Sequence, residues 1–194
     1  MKNIVFFGDS LTAGHGLPAA DSFPARIQEK LNAVGLPYRA LNYGVSGETS
    51  AGGRQRLASV LARHAPDVFV LALGANDGLR GIAVRETVAN LTYILHEVRR
   101  QFPQAQLVLA GLSLPFDLGP LGLPGLSRYA QDFSGLFRTL AEAEGVAFVP
   151  SLLAGVLGRP ELNLPDRVHP NAAGQRLLAA NVWAVLAPLL PAAA

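Results

Sequence analysis

Short apolar runs alternate with segments of helical periodicity along this chain, and this alternation limits its possible folds more than any other feature. The apolar runs predict five strands, near residues 3–8, 38–43, 67–73, 106–111 and 146–149. Apolar spacing of three and four predicts helices near 50–64, 84–98, 128–144 and 171–188, and Ser22 is expected to cap another helix. The sequence therefore predicts an α/β protein, a three-layer α/β/α sandwich with a central five-stranded, mainly parallel sheet.

The first strand ends in a turn that presents Asp9 and Ser10. A serine hydroxyl is a weak nucleophile, so it needs a base that removes its proton and amide donors that stabilise the resulting oxyanion. Ser10 is a candidate nucleophile if the rest of the chain supplies both. Asp9 is expected to hold the turn by accepting a backbone hydrogen bond, as short acidic side chains commonly do.

A candidate base lies near the other end of the chain, where Asp166 precedes His169 by three residues. This spacing allows the carboxylate to bond one imidazole nitrogen and leaves the other free to deprotonate Ser10, as in serine hydrolases generally. Pro170 suits the first turn of a following helix, so His169 is expected in the loop before that helix.

Candidate oxyanion donors follow two further strands. Asn76 comes after the apolar run at 68–73, and a glycine-containing block occupies 42–49, so a backbone N–H can come from Gly44 or Gly47. Ligands bind at the carboxyl ends of the strands in an open α/β sheet, so these groups and Ser10 should converge on one edge. Asp77 is expected to hold the turn beside Asn76.

Four sequence blocks, GDSLT, SGET, GAND and DRVH, occur in the order in which they mark the GDSL esterases, also called the SGNH hydrolase superfamily. The longer strings VSGETS and GANDGLRG most resemble the branch of bacterial thioesterase/lysophospholipases and arylesterases. The resemblance runs from about residue 4 to about residue 176. It implies a flavodoxin-like SGNH hydrolase fold and a single domain over residues 1–194.

By this resemblance Ser10 is the nucleophile, His169 is the base and Asp166 orients it. The resemblance also implies that the N–H groups of Ser10 and Gly47 and the Asn76 side chain form the oxyanion hole, with Gly44 as the rival glycine. The implied activity is hydrolysis of small-molecule carboxylic esters or thioesters through an acyl-serine. Short-to-medium acyl or aryl esters, lysophospholipids and acyl-CoA are the candidate substrates. Two alternatives stay open: a carbohydrate O-acetyl esterase, and a lipid- or glycan-binding module without turnover.

The segment Leu114–Leu126 combines three prolines and three glycines with large apolar residues, which predicts a loop that covers apolar surface. Because it follows the fourth strand, it is expected to wall an acyl-binding groove or act as a lid. The alternative is an insertion packed on the core. The expected substrate-binding residues are His15, Leu79, Phe116, Leu118 and Leu121.

Composition excludes several classes of protein. Half of the 194 residues are hydrophobic and 15% are charged, which excludes a mainly disordered chain. The net charge of +2, with scattered arginines, disfavours a nucleic-acid partner. The chain has no cysteine and its four histidines are dispersed, so neither a metal nor another cofactor is expected.

No apolar run reaches membrane-spanning length, so stable membrane insertion is not expected. Met1-Lys2-Asn3 leads directly into the first strand without a signal peptide, which favours a cytoplasmic location. A periplasmic or secreted location is the expectation if a leader has been removed. The sequence makes no prediction of oligomeric state.

Overall fold

The computed structural model describes residues 1–112 and 124–190, with residues 124–127 described by their backbone alone. In this part of the chain five strands form one parallel sheet: β1 Lys2–Gly8, β2 Tyr38–Gly44, β3 Val68–Ala72, β4 Gln106–Ala110 and β5 Ala147–Val149. Each strand begins and ends within one residue of its prediction, and the predicted α/β fold class is confirmed.

The first six helices lie between strands and the seventh follows the last strand: α1 Ser10–Ala13, α2 Phe23–Ala33, α3 Ser50–Arg63, α4 Ala75–Leu79, α5 Val84–Gln101, α6 Pro124–Glu144 and α7 Ala172–Leu186. Short 3₁₀ turns occupy Ala19–Asp21, Pro160–Leu162 and Ala187–Leu189. The prediction of a loop over Leu114–Leu126 is wrong at its carboxyl end, because residues 124–126 belong to α6. Pro124 lies in the first turn of this helix, where the missing N–H of a proline costs no hydrogen bond. Residues 114–123 of that prediction, with Phe116, Leu118 and Leu121, lie outside the described residues.

Strand β1 carries helices on both faces of the sheet. Adjacent strand residues point to opposite faces. Phe6 packs edge-on against Phe23 of α2, with ring centroids 5.5 Å apart, whereas the Phe7 ring lies under the guanidinium of Arg56 in α3. Helices α2 and α3 therefore cover opposite faces, and β1 and β3 between them are almost entirely buried, as central parallel strands require.

The start of α2 differs from its prediction. The helix begins at Phe23, but the Ser22 hydroxyl donates to the Ala19 carbonyl at 2.8 Å and does not cap it. Gln175 of α7 supplies the cap, because its Oε1 accepts the Phe23 N–H at 2.8 Å. The two residues lie 152 positions apart, so no local pattern identifies this cap.

The order of the strands determines where a ligand can bind. The sheet runs β2-β1-β3-β4-β5, so the chain moves from β1 to one side and then returns to the other. In open α/β sheets the crevice at such a reversal, outside the carboxyl ends of the strands, is the usual ligand site. Ser10, Gly47 and Asn76 follow β1, β2 and β3, respectively. Within the described ranges, no helix is long and apolar enough to cross a membrane.

Candidate active site

Ser10 begins α1, directly after β1. Asp9 is the N-cap of this helix, and its Oδ1 accepts the Leu11 N–H at 3.0 Å, so it holds the turn as predicted. The first N–H groups of a helix have no intrahelical acceptor. The Ser10 N–H accordingly has no partner among the described residues and is free to bind a ligand. Ser10 itself is only 8% exposed.

The Asp9 carboxyl group is completely buried behind Ser10. Burial raises the pKa of Asp9 to about 7, and the charges of Glu48 and Asp77 act in the same direction. Its Oδ2 has no hydrogen-bond partner among the described residues, so a proton on that oxygen displaces no contact. Asp9 thus serves the turn through one oxygen only.

A chain of hydrogen bonds runs from Asp166 through His169 to Ser10. His169 Nε2 lies 3.0 Å from Ser10 Oγ, and His169 Nδ1 lies 2.7 Å from Asp166 Oδ2. Asp166 Oδ1 accepts the backbone N–H groups of Val168 and His169 at 2.9 and 3.0 Å. The bonds from the His169 backbone and imidazole, and from Val168, lower the pKa of Asp166 to about 2. An ionised Asp166 keeps the proton of His169 on Nδ1 and leaves Nε2 able to accept the Ser10 proton.

The loop before α7 carries the Asp166–His169 pair, as predicted. The prediction that Pro170 lies in the first turn of α7 is wrong. Asn171 is the N-cap, and its Oδ1 accepts the N–H groups of Ala173 and Gly174 at 2.9 and 3.1 Å, so the helix begins after the proline. The loop folds back on itself, because the Leu164 N–H donates to the His169 carbonyl at 2.7 Å.

The two candidate glycines have different environments. The Gly44 N–H already donates to Asn42 Oδ1 at 2.9 Å, and a Cβ on Gly44 would lie 2.1 Å from the Ala13 nitrogen. Gly44 therefore allows β2 and α1 to pack closely. Gly47 has a φ of +79°, and its N–H has no partner among the described residues. Of the two, Gly47 has the N–H that is free to bind an oxyanion.

Asn76 lies in α4, and its side chain is fixed from the glycine block. Its Nδ2 donates to the Glu48 carbonyl at 2.9 Å, and an amide nitrogen carries a second N–H that can point into the crevice. The prediction that Asp77 holds its own turn is wrong. The buried Asp77 carboxylate accepts the N–H and the hydroxyl of Ser50, so it joins α4 to α3.

An apolar pocket of about 180 Å³ opens beside Ser10. The described residues that line it are Ser10, Leu11, Ala75, Asn76, Leu79, Leu112, Leu153, Leu157, Arg167, Val168 and His169. Leu79 is thus at the pocket, as predicted, whereas Gly47 is not among these residues. Sequence reasoning missed Leu153 and Leu157. They follow the carboxyl end of β5, where ligands bind in an open α/β sheet, so their position in the sequence could have predicted a place at the pocket.

His15 lies beside the candidate base and not among the described pocket-lining residues. Its ring stacks on the His169 ring, with centroids 4.4 Å apart and planes tilted by 37°. Its Nδ1 lies 3.1 Å from the Ser46 hydroxyl. The structure thus places His15 against His169, and its contact with substrate stays a prediction.

Hydrogen-bonded Ser, His and Asp side chains in this order are the catalytic arrangement of serine hydrolases, and here they meet at the carboxyl edge of a parallel sheet. Residues 6–177 match the model of the GDSL-like lipase/acylhydrolase family. The chain belongs to this family, which confirms the resemblance found in the sequence.

Individual relatives match over nearly the whole chain. The chain is 38% identical over 189 residues to "Esterase TesA" of Pseudomonas aeruginosa, covering 97% of this chain and 90% of that protein. It is 31% identical to "Thioesterase 1/protease 1/lysophospholipase L1" of Escherichia coli K12, and the match covers 96% of this chain and 84% of that protein. The "Arylesterase" of Vibrio mimicus is 30% identical, and the match covers 92% of this chain and 84% of that protein. A crystal structure of TesA superposes with a TM-score of 0.88, covering 97% of this chain and all of that one.

Proposed function

We propose that this protein is a serine esterase that hydrolyses carboxylic esters or thioesters through an acyl-serine intermediate. The observation that carries the proposal is the hydrogen-bonded chain from Asp166 through His169 to Ser10, at the mouth of an apolar pocket. The names of the relatives support it, because three of them are called an esterase, an arylesterase and a thioesterase.

The reaction has two steps, and in each of them His169 takes up one proton and then releases it. His169 Nε2 takes the Ser10 proton as Oγ attacks the carbonyl carbon, and the oxyanion accepts hydrogen bonds from the oxyanion hole: the N–H groups of Ser10 and Gly47 and the Asn76 side chain. His169 then gives its proton to the departing oxygen or sulfur. In the second step His169 deprotonates a water, which attacks the acyl-serine. His169 then returns that proton to Ser10 Oγ as the acid leaves.

The pocket favours short acyl chains or aryl groups. An apolar cavity of about 150 Å³ binds benzene, so a pocket of this size suits a chain of about four to eight carbons. Most of its described lining residues are apolar, five of them leucines, and apolar side chains offer no hydrogen bonds to sugar hydroxyls. This composition supports acyl or aryl esters over acetylated carbohydrates.

The chain-length preference tests this assignment with p-nitrophenyl esters from acetyl to palmitoyl. Each methylene that enters the pocket should raise kcat/KM by up to about fourfold, until the optimum at about four to eight carbons. Leu153→Trp should shift the optimum to shorter chains, whereas Leu177→Trp on the exposed side of α7 should not. A steady rise to palmitoyl contradicts the assigned pocket, and turnover of acetylated sugars alone favours the carbohydrate esterase.

Asn76→Ala tests the side-chain donor of the oxyanion hole. Loss of one such donor lowers kcat by about 10²- to 10³-fold with little change in KM, because the bond forms mainly in the transition state. The measurement is steady-state hydrolysis of p-nitrophenyl butanoate, with Asn32→Ala on exposed α2 surface as the control. An Asn76→Ala enzyme with wild-type kcat refutes the role of this side chain.

A further inference from the structure

Arg56 of α3 joins the segments that carry the oxyanion donors. Its Nη2 donates to the carbonyl oxygens of Gly8 at 3.2 Å and Tyr43 at 2.8 Å. Its Nε lies 2.6 and 2.7 Å from the two carboxylate oxygens of Glu48. Gly8 ends β1 two residues before Ser10, and Glu48 directly follows Gly47. One guanidinium thus fixes the end of β1, the end of β2 and the glycine loop relative to one another.

The third donor depends on the same loop. Asn76 Nδ2 is held by the backbone carbonyl of Glu48 at 2.9 Å, so a movement of Glu48 moves the amide. From the outer side, Arg80 Nη2 donates to the Gly47 carbonyl at 2.9 Å. Arg80 is exposed and binds only this carbonyl among the described groups, whereas Arg56 binds three separate segments. The Arg56–Glu48 pair therefore helps to hold both Gly47 and Asn76 in place.

The pair lies in a crowded and poorly solvated place. The Glu48 side chain is 8% exposed and the Arg56 side chain 20%, and the guanidinium lies 3.9 Å from the centre of the Phe7 ring. Two further carboxyl groups, those of Asp9 and Asp77, are completely buried. The charges of Glu48 and Asp77 both act on Asp9, so the pair lies in a group of interacting carboxylates. Without Arg56, Glu48 would be left as a nearly buried, unpaired carboxylate that must move toward water.

We propose that Arg56 is a positioning residue of the oxyanion hole and acts on Gly47 and Asn76 through Glu48. This inference rests on the proposed esterase function. The Arg56 guanidinium is occupied by Glu48 and by the carbonyl oxygens of Gly8 and Tyr43, so it orders the donors through these groups. Lysine cannot replace it, because one ammonium group cannot match the planar fork that binds Glu48 and two backbone carbonyls together.

Arg56→Lys tests the proposal while keeping the positive charge. We expect kcat to fall about 10-fold or more and KM to stay within about twofold, because misplaced donors weaken transition-state binding and leave ground-state binding intact. Arg54→Lys is the matched control, since Arg54 lies two residues earlier on the exposed face of α3. It should retain wild-type kcat. A wild-type kcat in folded Arg56→Lys, or a change in KM alone, overturns the proposal.

A double variant separates positioning from general damage to the fold. If Arg56 acts through the oxyanion hole, Arg56→Lys should cost much less kcat in an Asn76→Ala background than in the wild type. Equal costs in both backgrounds overturn the proposal. Should Arg56→Lys fail to fold, Glu48→Gln carries the test, because it weakens the same pair with an isosteric side chain. A severalfold loss of kcat at unchanged KM is expected there, and an unchanged kcat overturns the inference.

The two proposals fail in different ways. Absence of Ser10-dependent turnover in the wild-type protein defeats the esterase function, whatever Arg56 does. Wild-type turnover that is insensitive to Arg56→Lys and to Glu48→Gln defeats only the positioning role.

Discussion

Ser10→Ala should abolish ester hydrolysis, lowering kcat by about 10⁵- to 10⁶-fold. The substitution removes the only oxygen within hydrogen-bond distance of His169 Nε2 in the described structure. The oxyanion donors and His169 remain, so the residual rate reflects only their effect on attack by water. Steady-state hydrolysis of p-nitrophenyl butanoate measures the loss.

The fold of this variant should be unaffected. Among the described residues Ser10 Oγ bonds only His169, whose side chain is partly exposed and can bond water in its place. The midpoint of thermal unfolding and the circular dichroism spectrum should therefore match the wild type. Ser59→Ala, on the exposed side of α3, is the matched control and should keep full activity. Undiminished hydrolysis by Ser10→Ala would mean that another residue is the nucleophile.

Asp166→Asn should lower kcat by about 10⁴-fold without unfolding the protein. The asparagine Oδ1 can still accept the backbone N–H groups of Val168 and His169, so the loop keeps its conformation. Its amide nitrogen, however, then faces His169 Nδ1 as a donor. The imidazole proton consequently moves to Nε2, which can no longer accept the proton of Ser10.

The same kinetic assay measures this loss, with the exposed Asp132→Asn in α6 as the control. The pH dependence gives a second readout. The pKa of Asp166 falls from 3.8 to about 2 on folding, so its contribution to stability is complete above about pH 4 and is lost as the pH falls through 2. Asp166→Asn should lack this component of acid unfolding. Full activity in the variant would show that another group orients His169.

The strands, and the placement of the triad residues after them, were accessible from sequence, because they depend on local pattern. Each strand is a short apolar run, and Ser10, Asn76 and the Asp166–His169 pair each follow such a run. The parallel topology then brings them to one edge. That rule requires no knowledge of side-chain contacts.

The parts that sequence reasoning missed depend on contacts between distant residues. Gln175 caps α2 from 152 positions away, and Asp77 bonds Ser50 of α3, 27 positions earlier. Arg56 binds the backbone of Gly8, 48 positions away. No periodicity or spacing encodes such contacts, because they arise only when the elements pack. Residues 114–126 were expected to wall an acyl-binding groove or act as a lid, and residues 114–123 lie outside the described part of the chain. Leu153 and Leu157, which were not predicted, form part of the described wall.

The central claim is that Ser10 becomes acylated, and labelling with a fluorophosphonate ester tests it most directly. This reagent forms a stable phosphonyl-serine by the same attack. Intact mass spectrometry should find one phosphonyl group per chain, peptide mapping should place it on Ser10, and activity should fall in proportion to labelling. Ser10→Ala should remain unlabelled, and Asp166→Asn should react far more slowly. A label on another residue, or full activity in completely labelled protein, would contradict the account.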